Sequence, residues 1–206
     1  ADIGNYAYDG TATGAADITA KPITVTPTAG QTKVYGNADP TFTYTSDPLI
    51  GSDIFTGALS REAGKNVGTY AYTTGTLSAG SNYSLTLVPG TFEITKRTLT
   101  VAATGVDKVY DANPTATVNL SDDRVSGDNL ILGYTAAFTN KDVGIGKTVN
   151  VTSISITGGT DAGNYTLGNT TAVTTANITP KSLTVSFTTY ANKTYNLDTP
   201  GLFYLF

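Results

Sequence analysis

Carboxylates, lysines and hydroxyls are the only reactive side chains this 206-residue chain offers, because Cys, His, Met and Trp are all absent. Without imidazole or thiolate, a nucleophilic serine would need lysine as its base, and no Ser-x-x-Lys arrangement occurs. Glycoside hydrolysis needs two carboxyl groups flanking one bond. The only glutamates are Glu62 and Glu93, and Glu93 alternates with Phe92 and Ile94, which places it on the wet face of a strand. The densest acidic spot is Asp122-Asp123 with Asp128. Such carboxylates, joined by backbone carbonyls, suit Ca²⁺. The spacing matches no regular calcium loop, so the expectation is a structural role, with Ca²⁺ the alternative and no other cofactor. Asp107 and Asp111 flank Tyr110 and read as turn residues. Seven Asn-x-Ser/Thr triplets, Asn82 and Asn164 among them, are glycan acceptors only where the secretion machinery allows. No enzymatic activity is expected.

Tyrosines are the remaining candidates. Tyr35, Tyr110 and Tyr195 recur in the same local setting, each two residues after Lys33, Lys108 or Lys193. Exposed rings would serve as platforms for sugars. Recurrence at one place in each copy favours a ring that plugs its unit's core with the hydroxyl at the rim. The lysines share a strand side with the tyrosines by period two and are expected to lie over the rings. Tyr83 and Tyr165 recur in the same manner, each after an asparagine.

The elements that position these residues read as strands. Ile23-Thr-Val25, Tyr70-Ala-Tyr72, Tyr83-Ser-Leu-Thr-Leu87, Phe92-Glu-Ile94, Leu99-Thr-Val101, Tyr134-Thr-Ala136 and Val149-Asn-Val-Thr-Ser-Ile-Ser-Ile156 alternate apolar with polar, the mark of a strand with one buried face. The 40 threonines favour strands and the 22 glycines favour turns. Only Ala58-Leu-Ser-Arg-Glu-Ala63 has the makings of a helix, of one or two turns.

The chain repeats itself. Lys21-Pro-Ile-Thr-Val25 returns as Lys181-Ser-Leu-Thr-Val185, and less closely as Arg97-Thr-Leu-Thr-Val101. Asp17-Ile-Thr19, Glu93-Ile-Thr95 and Asn177-Ile-Thr179 each lead into a new copy. Fixed-period similarity marks a tandem array. The expected division is 1–20, the final strands of a preceding repeat; 21–96 and 97–180, two whole units; and 181–206, the opening strands of a following repeat. Thr95-Lys96-Arg97 contains no Gly or Pro spacer, which predicts a stiff junction.

Residues 21–96, with Lys33-Val-Tyr-Gly36, Asp39-Pro40, Gly57-Ala-Leu-Ser-Arg61, Asn66-Val-Gly68 and Ser81-Asn-Tyr83, resemble the MBG domain, a "mostly beta-grasp" repeat. Residues 97–180, with Lys108-Val-Tyr-Asp111, Lys141-Asp-Val-Gly144 and Asp161-Ala-Gly-Asn-Tyr165, resemble the YDG domain, except that Ala112 stands where that motif has Gly. The resemblance implies large repetitive proteins of the bacterial surface, often adhesin-like, and brings no catalytic residues.

The expected fold is therefore mainly β: tandem small β-grasp-like domains in an elongated rod, with a pair of Ig-like β-sandwiches as the alternative. The expected role is a structural spacer or stalk in an extracellular adhesin or surface fibre, with a carbohydrate- or matrix-binding module as the alternative. A net charge of −4 disfavours nucleic acid, and no apolar run is long enough to span a membrane as a helix. Expected partners are neighbouring repeats or copies of the same chain, with surface glycans as a further option. Leu202, Phe203, Tyr204, Leu205 and Phe206 form the most apolar stretch. They are the candidate strand for head-to-tail assembly into a filament, by addition to an exposed edge.

Overall fold

The computed structural model describes residue 14 and residues 17–186. These are mainly β, in two consecutive units. The first holds β1 (Lys21–Pro27), β2 (Thr32–Val34), β3 (Tyr44–Ser46), β4 (Ser60–Arg61), β5 (Gly68–Thr73), β6 (Tyr83–Leu87) and β7 (Thr91–Thr95). The second holds β8 (Arg97–Leu99), β9 (Val101–Gly105), β10 (Lys108–Val109), β11 (Val118–Asp122), β12 (Ile131–Phe138), β13 (Gly144–Gly158), β14 (Tyr165–Leu167) and β15 (Ala172–Thr179). The described parts of the two end fragments, 17–20 and 181–186, form no strand.

Both units are wired alike. The opening strand pairs in parallel with the next-to-last one, Lys21 opposite Tyr83 in the first and Arg97 opposite Tyr165 in the second. A short later strand, β2 or β10, pairs in parallel with the last one, Lys33 opposite Ile94 and Lys108 opposite Ile178. The first unit thus has two sheets, β3-β1-β6 and β2-β7-β5-β4. The second has β10-β15-β13-β12 as its larger sheet, faced by the pairs β11-β9 and β14-β8.

Alternation decides which side chains enter the core. In β1, Ile23 and Val25 are fully buried while Thr24 and Thr26 stay exposed; Pro22 and Pro27 sit near its ends, where a missing ladder donor costs least. Phe92 and Ile94 of β7 close on them from the other sheet, and Phe42 meets Tyr72 and Phe92 edge to face at 5.3 and 5.1 Å. Burying each such side chain is worth about 1.5–3 kcal/mol. Leu99, Val101, Val149, Val151, Ile154 and Ile178 do the same in the second unit. Along β13 the buried positions step from Val149 and Val151 to Ile154, a shift from odd to even. Ser153, at φ +54°, absorbs the extra residue, and the register against β12 slips at the same level.

One expected element is different. The stretch from Ala58 to Ala63 makes the short strand β4 paired with β5, not a helix. Arg61 explains the preference. Its guanidinium binds both Asp39 oxygens at 2.8 and 3.0 Å and lies over the rings of Tyr70 (4.7 Å) and Phe92 (5.5 Å). An extended backbone delivers that side chain across the sheet, so tertiary contacts override local propensity. The single described helical turn is a 3₁₀ turn at Ala162–Asn164.

Candidate functional site: the joint between the units

The junction between the units is one residue long: β7 ends at Thr95 and β8 begins at Arg97. What meets across it is assembled from residues far apart in sequence. Tyr35 follows β2, and its N–H donates to the Thr95 carbonyl at 2.9 Å, which fixes the ring at the end of the first unit. There it packs edge to face on Tyr165 of the second unit, with centroids 5.5 Å apart. Tyr35 is 2% exposed.

The second unit supplies a preformed socket. Val125-Ser-Gly-Asp128 is a turn closed by Asp128 N–H to the Val125 carbonyl at 3.1 Å. The Tyr165 hydroxyl accepts from the Val125 N–H at 2.9 Å and donates to Asp128 Oδ2 at 2.5 Å. Burial, then the Asp128 carboxylate beside them, pushes both the Tyr35 and Tyr165 hydroxyls up to about 12. Both therefore stay neutral donors at any ordinary pH.

Asn164 is the second element of the joint. It is 5% exposed, and its Oδ1 accepts from the Val67 N–H at 2.9 Å while its Nδ2 reaches Asn66 Oδ1 at 3.3 Å. A buried side-chain amide that pairs with a neighbour's backbone fixes orientation, because misalignment leaves a donor unpaired. Gly36 makes the close approach possible. It has φ +85°, and a Cβ there would lie 2.5 Å from Val125 Cγ2. The Arg97 guanidinium runs beside Gly36, with its Nε buried and unpartnered. A cleft of about 280 Å³ opens next to the joint, lined by Lys33, Tyr35, Lys65, Ser126 and Asp128 among others.

The first unit carries the same socket at its opposite end. Ile50-Gly-Ser-Asp53 closes the equivalent turn, Ile50 N–H donates to the Tyr83 hydroxyl at 2.9 Å, and Tyr83 donates to Asp53 Oδ2 at 2.6 Å. Asp47 and Asp123 also correspond: each accepts at 2.8 Å from a backbone N–H, that of Thr24 in β1 or of Thr100 between β8 and β9.

Two families match in tandem. The MBG domain (YGX type) family matches residues 23–93, and the YDG domain family matches residues 95–174. The chain carries an MBG domain over residues 23–93 and a YDG domain over residues 95–174. No curated protein matches it, and no solved structure does.

The expected site residues fall out as follows. Tyr35 and Tyr165 meet in the joint, Tyr83 holds the MBG socket, and Tyr110 is half-buried at the far end of the YDG domain. Tyr195 and the apolar stretch Leu202, Phe203, Tyr204, Leu205 and Phe206 lie outside the described residues. The three aspartates weighed for Ca²⁺ do not converge. Asp122 pairs with Arg124 at 2.5 Å, Asp123 accepts from Thr100, and Asp128 serves Tyr165. Among the described residues no group of three acidic side chains could hold a metal ion. Lys33 and Lys108 do not lie over Tyr35 and Tyr110, and Lys193 lies outside the described residues. Lys33 pairs with Asp39 at 2.5 Å, and Lys108 binds Asp111 and the carbonyls of Asn113 and Thr115. Asn164, in one of the seven glycan triplets, is buried in the joint instead of presented for modification.

Proposed function

We propose that the MBG–YDG tandem is a structural spacer in an extracellular, adhesin-like protein of a bacterial surface. The observation that carries the reading is the joint. A one-residue junction, a buried tyrosine pair and the Asn164 amide hold two small domains in one relative pose. A flexible linker would let them tumble, whereas a packed joint transmits length and direction. The chemistry agrees: Tyr35 and Tyr165 are used for packing between the units, and the carboxylates beside Tyr165 and Tyr83 are used as hydrogen-bond acceptors. Binding to host or matrix is then the work of other segments of the full-length protein.

A glycan and matrix-protein array tests this. The expected result is no reproducible binding by the tandem. Binding that disappears when an exposed or half-buried tyrosine such as Tyr110 or Tyr134 is changed to Ala would replace the spacer with a recognition module.

A further inference from the structure

The joint is built from two half-faces, and each domain carries both halves. On the MBG domain the outgoing half is Tyr35, Lys65, Asn66 and Val67, all covered or flanked by the YDG domain. Strand register places Tyr110, Lys141, Asp142 and Val143 at the same positions on the YDG domain. Lys108 lies opposite Ile178 as Lys33 lies opposite Ile94, and Gly144 opposite Ile178 as Gly68 lies opposite Ile94. Tyr110 N–H donates to the Thr179 carbonyl at 2.8 Å, as Tyr35 does to Thr95. The Val143 N–H is the counterpart of the Val67 donor that Asn164 satisfies.

This second outgoing half is uncovered. Tyr110 is half-buried where Tyr35 is 2% exposed, and Val143 is 49% exposed. Lys141 lies over the Tyr110 ring at 5.9 Å, on a ring whose MBG counterpart packs against Tyr165. Directly after this face, Lys181-Ser-Leu-Thr-Val185 repeats the opening strand of a unit. Its Leu183 and Val185 are 88% and 63% exposed, while their counterparts Ile23, Val25, Leu99 and Val101 are all core residues.

We propose that Tyr110, Lys141, Asp142 and Val143 form a docking face for a further repeat unit placed after Pro180. The occupant presents a tyrosine–aspartate pair on a Val/Ile-x-x-Asp turn and an asparagine amide, the chemistry that residues 125–165 present to the MBG domain. Its tyrosine ring takes the edge of Tyr110, its asparagine accepts from the Val143 N–H, and Lys141 moves off the ring. The same joint is thereby reused along the array, so successive units inherit one relative orientation. This rests on the spacer reading for its purpose but not for its outcome. Ligand binding by the tandem would end that reading and leave the docking face intact.

The test is site-mapped nitration of Tyr110 in two chains. One is the 206-residue chain. The other carries a second copy of residues 97–180 inserted after Pro180, with Tyr110→Phe in that copy so that only the first Tyr110 is read. Covering the face should slow nitration of Tyr110 roughly tenfold, as protection by a closed contact does. Val143→Asp in the first copy should restore the rate. Equal rates in the two chains overturn the proposal, and so does protection that survives Val143→Asp. Tyr35 stays protected throughout, which reports that the internal joint is intact.

Discussion

Changing Asn164 to Ala asks whether the joint holds the two domains by specific contacts. The substitution removes the acceptor from the Val67 N–H, a 2.9 Å hydrogen bond at a site where Asn164 is 5% exposed. A donor left unpaired in such a place costs about 1–3 kcal/mol. The other contact, 3.3 Å to the exposed Asn66, adds little. For a chain of this size each kcal/mol moves the midpoint by about 2–4 °C, so Asn164→Ala should lower Tm by about 2–12 °C. The repeat provides its own control. Asn82 occupies the same position in the MBG domain but is exposed, so Asn82→Ala should stay within about 0.5 kcal/mol of the parent. Thermal and urea unfolding, each followed by tyrosine fluorescence, give the Tm shift and the free-energy costs. Hydrogen exchange at the Val67 amide localises the effect, since it should quicken in Asn164→Ala and not in Asn82→Ala. Equal costs for the two substitutions, or an unchanged Val67 amide, would refute the reasoning.

Three other outcomes follow from named sites. Ala112 is held at φ +64°, a left-handed conformation that costs a non-glycine residue about 1–2 kcal/mol. Ala112→Gly relieves it, and after the added chain entropy of glycine the gain should be about 0.5–1 kcal/mol by urea denaturation; a loss would show that the strain is absent. Asp39 binds Arg61 and Lys33, whose side chains are only 9% and 12% exposed, and the Arg61 hydrogen bond holds its carboxyl below the usual range. Asp39→Ala should destabilise the MBG domain by about 1–3 kcal/mol, less than for a fully buried pair because Asp39 itself is part-exposed. The lowered carboxyl contributes stability that is present above its unfolded value and lost as pH falls through the folded one, so the parent should lose more stability on acidification than Asp39→Asn. Tyr35 and Tyr165 are raised to about 12 when folded, against about 10 when unfolded. Their contribution is complete below pH ~10 and is lost as pH rises through ~12. The double variant Tyr35→Phe, Tyr165→Phe should show a shallower loss over that window.

Much of this architecture was legible in the residues. Period-two alternation marked β1, β5, β6, β7 and the first half of β13, because each has one face in the core. The alternation read from Val149 on through Ile156 missed the bulge at Ser153, where the buried positions step from Val151 to Ile154 because the backbone takes φ +54° and absorbs an extra residue. The Asn-Tyr landmarks at 82–83 and 164–165 were visible as repeats, but their role was not. Local pattern cannot tell a residue that closes its own unit from one that closes on a neighbour. The Ile50-x-x-Asp53 and Val125-x-x-Asp128 turns left a signal, an apolar residue three before an aspartate with Gly and Ser between, that becomes meaningful only beside the tyrosine hydroxyl each turn serves. The strand at Ser60–Arg61 was hidden for a different reason. Its conformation is set by Asp39, twenty-two residues away, and not by its own propensity.

The central claim is that the two domains are held in one pose, and a distance distribution across the joint tests it most directly. The chain has no cysteine, so Ser46→Cys on β3 and Thr175→Cys on β15, both exposed, give a single spin-labelled pair for double electron–electron resonance. The account predicts one narrow distance peak that broadens when Asn164→Ala is added. A broad distribution in the parent chain, unchanged by Asn164→Ala, would contradict it.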